Sequence, residues 1–132
     1  MLANTVQAVV ILEDQERAEE LYGLMAPYAQ FNTPDAMLLY QGPVARFLGL
    51  LAACLDRDEL VEGHFEDALA MAQRMGQRPL LVRMRYEYAR YLSGRKSAIA
   101  SARAAELMQS ARELARLLNI TWLDHGASEV AE

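Results

Sequence analysis

Cysteine is almost missing from this 132-residue sequence, which has a single one, Cys54. One thiol excludes an intramolecular disulfide framework, and we expect Cys54 to pack as a small apolar side chain in a reducing compartment. Long apolar runs are missing too, because the stretch at 44–55 is interrupted by Arg46 and is too short to span a bilayer. No basic residue precedes Arg17, so the chain start lacks the pattern of a secretory signal. We therefore predict a cytoplasmic protein without membrane contacts.

Motifs that carry catalysis are also missing. His64 and Glu66 have the His-x-Glu spacing of zinc deaminases, but the Pro-Cys-x-x-Cys that completes such a metal site is absent. The stretch GRKS at 94–97 lacks the glycine spacing of a phosphate-binding loop. Asp124 and His125 follow the last periodic segment, where no pattern would hold a catalytic pair in place. We expect no enzymatic activity, no metal and no cofactor.

The sequence does contain an internal repeat of 43 residues. Ala18, Val61 and Ala104 begin three copies of an apolar stripe with this spacing. Each stripe continues in steps of four, three and four residues, which follow one face of an α-helix. The later members are Tyr22, Phe65 and Met108, then Met25, Ala68 and Ala111, then Ala29, Ala72 and Ala115. Each copy therefore predicts a helix with one buried face.

A second apolar helix precedes each stripe. In the middle copy it runs from about Pro43 to Leu55, and its proline suits a first helical turn. The residues DRD at 56–58 then form a turn, from which Asp58 can cap the next helix. Two apolar helices joined by so short a turn predict an antiparallel helical hairpin.

Three such hairpins account for most of the chain and predict an all-α fold of about six helices. The chain start, TVQAVVIL, also fits a β-strand by its β-branched content, but Leu12 lies 43 residues before Leu55 and so keeps the helical register. We predict a helical domain over residues 1–120, followed by a polar C-terminal tail at 121–132. Within this domain, the three antiparallel hairpins lie at about 1–30, 40–76 and 78–118.

The middle hairpin has a recognisable spacing of residue types. The first helix of this hairpin carries Leu48, Gly49 and Ala52. The second helix carries Val61, Phe65 and Ala68. This spacing resembles the tetratricopeptide repeat, with residues 52 and 61 as mild departures. The resemblance implies a stacked array of helix pairs that acts as an interaction scaffold. Because small residues allow helices to approach closely, we also expect Gly49 to face Ala68 where the two helices cross.

Longer stretches point to a narrower group. They are AEELYGLMAPYA, GPVARFLGLLAA, HFEDALAMAQRMGQRP, YEYARYL and ARELARLLNI, which lie within residues 13–120. They resemble the C-terminal helical-repeat tail of large bacterial regulators, in which an ATPase is coupled to an adenylate-cyclase or DNA-binding domain. The chain departs at 79–80, where relatives carry Pro-Trp, and at 118–120, where they carry Leu-Gly-Met. The resemblance concerns only the tail and implies a non-catalytic module of a bacterial signalling protein or transcription regulator.

Charge is distributed unevenly along a chain whose net charge is −5. Residues 1–72 hold 3 basic and 12 acidic side chains, whereas residues 73–104 hold 8 basic and 1 acidic. The basic segment fits either a surface for an anionic partner or a charge complement to the acidic hairpins. Because the chain is acidic overall and no helix has the residues of a recognition helix, we do not expect direct binding to nucleic acid.

The tetratricopeptide resemblance implies where a partner would bind, because the first helix of each hairpin lines a concave groove in that family. Aligned by pattern, the predicted partner-binding residues are Arg46, Leu50, Arg83, Tyr86 and Arg90, of which the last three share one helix face. The predicted partner is a protein segment or a neighbouring domain of a larger regulator. The alternatives are a small anionic effector held by the three arginines, and a purely structural oligomerisation unit.

The predicted first helix is apolar on more than one face, through Val6, Val9, Val10, Ile11 and Leu12. A terminal helix of a repeat array is expected to have a polar outer face. We therefore predict that something covers this helix, either a second copy in a homodimer or the preceding repeats of a longer parent chain.

Overall fold

A computed structural model describes residues 2–30 and 43–123 of the chain. At the start of the chain, side chains are described for Val6 and from Ala8 onward. Six α-helices and no β-strand lie in these ranges, so the all-α prediction is confirmed and the strand interpretation of the chain start is wrong. The helices are α1 Leu2–Leu12, α2 Gln15–Met25, α3 Val44–Cys54, α4 Asp58–Arg74, α5 Arg78–Ser93 and α6 Ala98–Leu117. Within the described ranges, none of these helices combines the length and the apolar character needed to cross a bilayer.

The ends of the helices repeat with the period of the sequence. Glu13 and Asp56 lie 43 residues apart, and both adopt a left-handed backbone with φ of 53° and 56°. In each turn the N–H of the following residue donates to a carbonyl five residues back, over 3.1 and 2.9 Å, which closes the preceding helix as a Schellman motif. Gly76 and Asn119 are also 43 residues apart and have φ of 70° and 58°. The 43-residue period of the sequence is therefore also found in the backbone conformation at the helix ends.

Local signals also set where helices begin and stop. The Asp14 carboxylate accepts a hydrogen bond from the backbone N–H of Arg17 at 3.2 Å and so caps α2. Ser97 caps α6 in the same way, by accepting from the N–H of Ala100 at 3.3 Å. Pro27 cannot continue a helix without loss of a backbone hydrogen bond, and α2 ends at Met25 with a single 3-10 turn after it.

Contacts divide the chain into two compact units, one up to Arg74 and one from Met75 onward. In the first unit, α1 packs against α2 and α3, α2 against α3, and α3 against α4. In the second unit, α5 packs against α6. The predicted helix pairs therefore touch, whereas their stacking as one tetratricopeptide-like array over residues 1–120 stays a prediction.

The apolar stripe predicted for each repeat is confirmed by burial. Its first and third members are all buried, namely Ala18, Val61, Ala104, Met25, Ala68 and Ala111. The stripe on α2 shares a core with Phe47, Leu48 and Leu51 of α3, and Val6 and Val9 of α1 complete the same core. Burial of the helix faces, rather than intrinsic helix preference, supplies most of the stability of such short helices.

Gly49 has a different neighbour from the one expected. A Cβ atom placed there would lie 3.0 Å from Cδ2 and 3.1 Å from Cε2 of Phe65, and these ring atoms are its nearest contacts. The close approach of α3 and α4 is therefore confirmed, and the nearest neighbour of Gly49 is Phe65, whereas a contact between Gly49 and Ala68 stays a prediction. An aromatic ring projects further from its helix than a methyl group does, so Phe65 reaches across and fills the space above the glycine.

The second unit continues beyond the predicted end of the helical domain. Leu123 is only 2% exposed, and it packs in a core with Val82, Tyr86, Ala111 and Ala115. The polar tail, predicted from residue 121, therefore begins no earlier than residue 124. Residues 124–132, with the Asp-His pair considered above, lie outside the described residues.

Candidate partner-binding surface

The five predicted partner-binding residues are divided between the two units. Arg46 and Leu50 belong to α3 in the first unit, whereas Arg83, Tyr86 and Arg90 belong to α5 in the second. The three residues on α5 share one face, as their spacing of three and four predicts. Each unit therefore has to be considered separately as a binding surface.

The α3 residues belong to the interior of the first unit. Arg46 is 2% exposed, and its guanidinium carbon lies 4.9 Å from the centre of the Phe47 ring. Leu50 is half-buried and packs against the apolar core of that unit. Since a buried guanidinium offers no surface to a partner, the structure provides no support for binding through Arg46. The assignment of Arg46 and Leu50 to a groove stays a prediction.

The α5 residues form a continuous row of stacked side chains together with Trp122. The guanidinium carbon of Arg83 lies 5.3 Å from the centre of the Trp122 ring. Trp122 meets Tyr86 edge to face, with ring centres 5.6 Å apart and planes at 80°. The guanidinium of Arg90 lies 5.9 Å from the Tyr86 ring. We call these four residues, Arg83, Trp122, Tyr86 and Arg90, the α5 row.

Trp122 reaches this row because of the way in which α6 ends. Asn119 takes the left-handed conformation, and the N–H of Ile120 donates to the carbonyl of Ala115 at 2.8 Å. This Schellman motif turns the chain sharply at the end of the helix. The segment that follows packs back on the second unit, so that Leu123 enters the core and Trp122 lies beside α5.

The two ends of the α5 row are charged and open to solvent. Arg83 and Arg90 are exposed, whereas the Tyr86 ring between them is 7% exposed. Within residues 2–30 and 43–123, no carboxylate forms an ion pair with either arginine. By contrast, Arg57 pairs with Glu19, and Arg103 lies 3.5 Å from Glu106. Cation–π contact with the rings orients the two guanidinium groups and leaves their N–H groups available to an anion.

Trp122 is not among the predicted binding residues, because the sequence predicts a polar tail over residues 121–132. A signal was present in the apolar residues Ile120, Trp122 and Leu123. Asn119 was a second signal, since asparagine is one of the few residues that readily adopts a left-handed helix end. Together they indicate that the chain turns and packs again after α6.

The first unit contains a polar cluster that links α2 to α4. The Tyr22 hydroxyl and Nε2 of His64 share a hydrogen bond of 2.7 Å, and their rings meet edge to face. Arg57 pairs with Glu19 and also lies 5.6 Å from the Tyr22 ring. Burial lowers the pKa of His64, partly offset by Asp67, and burial raises the pKa of Tyr22. A neutral His64 is thus favoured, and Tyr22 holds it in a structural contact.

Around His64 and Glu66, the described part of the chain offers no metal-binding arrangement. Among the residues that the structure describes, no group of three His, Cys, Asp or Glu side chains is placed to hold an ion. Cys54 is half-buried, and its pKa is raised first by burial and then by nearby carboxylates. A raised pKa disfavours the reactive thiolate, which agrees with a packing role for this side chain.

Comparison with known proteins adds no further assignment. No protein-family model, curated protein or solved structure matches this chain. The resemblance to tetratricopeptide repeats and to bacterial regulator tails therefore stays an expectation from the sequence, and the functional argument depends on the geometry of the described residues.

Proposed function

We propose that this chain is a non-catalytic interaction module and that the α5 row binds an acidic segment of a protein partner. The observation that supports this proposal is the pair of exposed guanidinium groups at Arg83 and Arg90. Each is oriented by an aromatic ring, and neither has a carboxylate partner in the described ranges. The three α5 residues of the row also lie in the most basic part of the chain, residues 73–104.

The strength of such a surface can be estimated. An exposed ion pair contributes only about 0–1 kcal/mol, whereas a hydrogen bond to a charged group contributes about 1.5–3 kcal/mol when it is partly shielded. Two arginines alone therefore give weak binding, and a useful affinity needs the additional contact area of Trp122. Aromatic and arginine side chains together are the usual centre of a binding surface. We expect binding to weaken as salt concentration rises.

The sequence resemblance suggests the setting of this module. In a cytoplasmic bacterial regulator, a helical-repeat tail would bind its own neighbouring domain or a second protein and so control the activity of the larger chain. We propose this setting from the resemblance, and we propose binding by the α5 row from its geometry.

A direct test uses Trp122, which is the only tryptophan of the chain. Its fluorescence should change as a synthetic glutamate-rich peptide is added, and a matched glutamine-rich peptide should have no effect. Calorimetry should show that the variant Arg83→Gln/Arg90→Gln loses most of this affinity. The control variant Arg112→Gln/Arg116→Gln removes the same charge from exposed positions on α6 and should keep it. Equal loss in both variants would show nonspecific charge attraction and would refute the proposed site.

The same assay separates the small-ligand alternative from peptide binding. Inorganic phosphate and citrate serve as probes of an anion site. If they bind more tightly than the glutamate-rich peptide, and if binding needs Arg83 and Arg90, the chain is a sensor of anionic effectors and not a peptide-binding module.

A second candidate function is self-association through α1. Ile11 and Leu12 are 80% and 75% exposed, although Val6 and Val9 on the same helix are buried in the core. A homodimer would cover the two exposed side chains. Light scattering should then give the mass of a dimer for the natural chain and of a monomer for Ile11→Ser/Leu12→Ser. A monomeric mass for the natural chain would exclude this function.

A further inference from the structure

We infer that the acidic partner segment is an α-helix whose two carboxylates lie two turns apart on one face. This inference rests on the proposed function, because it concerns the partner of the same α5 row. It follows from the spacing of the two exposed guanidinium groups and from the way in which the row holds them.

The spacing is set by α5 itself. Arg83 and Arg90 are seven residues apart, which corresponds to about 10.5 Å along a helix that rises about 1.5 Å per residue. Seven residues also make almost two full turns, so both side chains leave the helix in nearly the same direction. The α5 row therefore presents two arginine positions about 10.5 Å apart along one helix face, each with its guanidinium group against an aromatic ring.

Stacking limits how far these groups can move. The guanidinium of Arg83 is placed by Trp122, and that of Arg90 is placed by Tyr86. The two rings in turn contact each other, and Tyr86 is anchored by burial in the core of the second unit. The distance between the two positive groups is therefore more restricted than for free arginine side chains on a helix surface.

A helical partner matches this distance better than a β-strand does. Side chains on one face of a strand recur at about 6.6 Å and then at about 13 Å, and neither spacing equals the spacing of about 10.5 Å between the two arginine positions on α5. Carboxylates at positions i and i+7 of a helix recur at about 10.5 Å, the same spacing as on α5. A helix lying along the α5 row would therefore meet both guanidinium groups at once, and its apolar side chains could contact the exposed part of Trp122.

The experiment uses the full chain and alanine- and glutamine-based peptides whose helix content has been matched by circular dichroism. One peptide carries two glutamates seven residues apart, and a second carries them five residues apart, on different faces. A third replaces both glutamates with glutamine. A fourth, proline-rich peptide carries two glutamates three residues apart, at about 9.3 Å in an extended polyproline helix. Calorimetry measures each affinity at low salt.

We expect the spacing-seven peptide to bind about twofold to fivefold more tightly than the spacing-five peptide, because fivefold is the most that one exposed ion pair usually supplies. Arg90→Gln should make these two peptides bind equally well, whereas Arg112→Gln should preserve the preference. This pattern would support the inference, because only a two-point contact depends on both the peptide spacing and Arg90.

Other outcomes distinguish the two proposals. If the spacing-seven and spacing-five peptides bind equally and both exceed the glutamine peptide, the helical spacing is wrong while the acidic partner of the α5 row remains supported. Tighter binding of the proline-rich peptide would overturn the helical form of the partner. If no glutamate peptide binds better than the glutamine peptide, the proposed function itself fails.

Discussion

Replacement of Gly49 by alanine tests how closely α3 and α4 approach. The added Cβ would lie 3.0 Å from the ring of Phe65, which is 0% exposed, so the ring would have to shift within the core to make room. Overpacking of a core costs about 1–3 kcal/mol. The same substitution gains about 1 kcal/mol because alanine has a higher helix propensity than glycine. We expect Gly49→Ala to lower the free energy of unfolding by about 0–2 kcal/mol.

Gly63 provides a matched control within α4. A Cβ atom placed at Gly63 has no neighbour within 4 Å, so Gly63→Ala should give only the gain in helix propensity, about 1 kcal/mol. The propensity contribution is common to both variants and cancels in their comparison. The difference between Gly49→Ala and Gly63→Ala, about 1–3 kcal/mol, therefore measures the cost of the contact with Phe65.

Urea denaturation followed by far-UV circular dichroism gives the midpoint and the slope for each variant. The double variant Gly49→Ala/Phe65→Leu should lose less stability than the sum of its single changes, because leucine leaves room for the new methyl group. If Gly49→Ala raises the midpoint as much as Gly63→Ala does, α3 and α4 are not in close contact at this point and the packing argument is refuted.

Three further predictions concern the polar cluster, a helix cap and the end of the chain. Burial lowers the pKa of His64, so the stability contributed by its neutral form is complete above about pH 6.5 and is lost as the pH falls from there through the folded-state pKa. Relative to His64→Gln, the natural chain should lose urea stability as the pH falls below about 6.5, and a constant difference would contradict this. Ser97→Ala should cost about 1 kcal/mol because the α6 cap is lost, whereas Ser101→Ala at an exposed position inside that helix should change stability by less than about 0.5 kcal/mol. Leu123→Ala should cost about 2–5 kcal/mol in chemical denaturation, and an unaffected midpoint would mean that the segment after α6 is not packed.

Much of the fold could be predicted from the sequence because its signals are local. The 43-residue apolar stripe predicts three helices with buried faces, and all three are found. Pro27 marks the end of α2, and the short DRD turn joins α3 to α4 as expected. The apolar periodicity of a helix predicts which of its residues are buried, because the buried face depends on that helix alone. It does not predict which residues of other helices pack against that face.

The candidate site could be predicted only in part. Arg83, Tyr86 and Arg90 share a helix face by spacing alone, and the structure confirms that they do. Arg46 was grouped with them by alignment to a repeat pattern, yet it is buried in the first unit. A repeat pattern locates a residue within its own hairpin, but the burial of a long side chain depends on every element that packs around it.

By itself, the amino-acid sequence determined which segments are helical, where they stop and which face of each is apolar. These properties depend on residues within a few turns of one another. Only the tertiary structure decided that Phe65 covers Gly49 and that Trp122 lies between Arg83 and Tyr86. Such contacts join positions that are distant along the chain, and they depend on side-chain size and on the packing of several elements, which the periodicity of one helix does not determine.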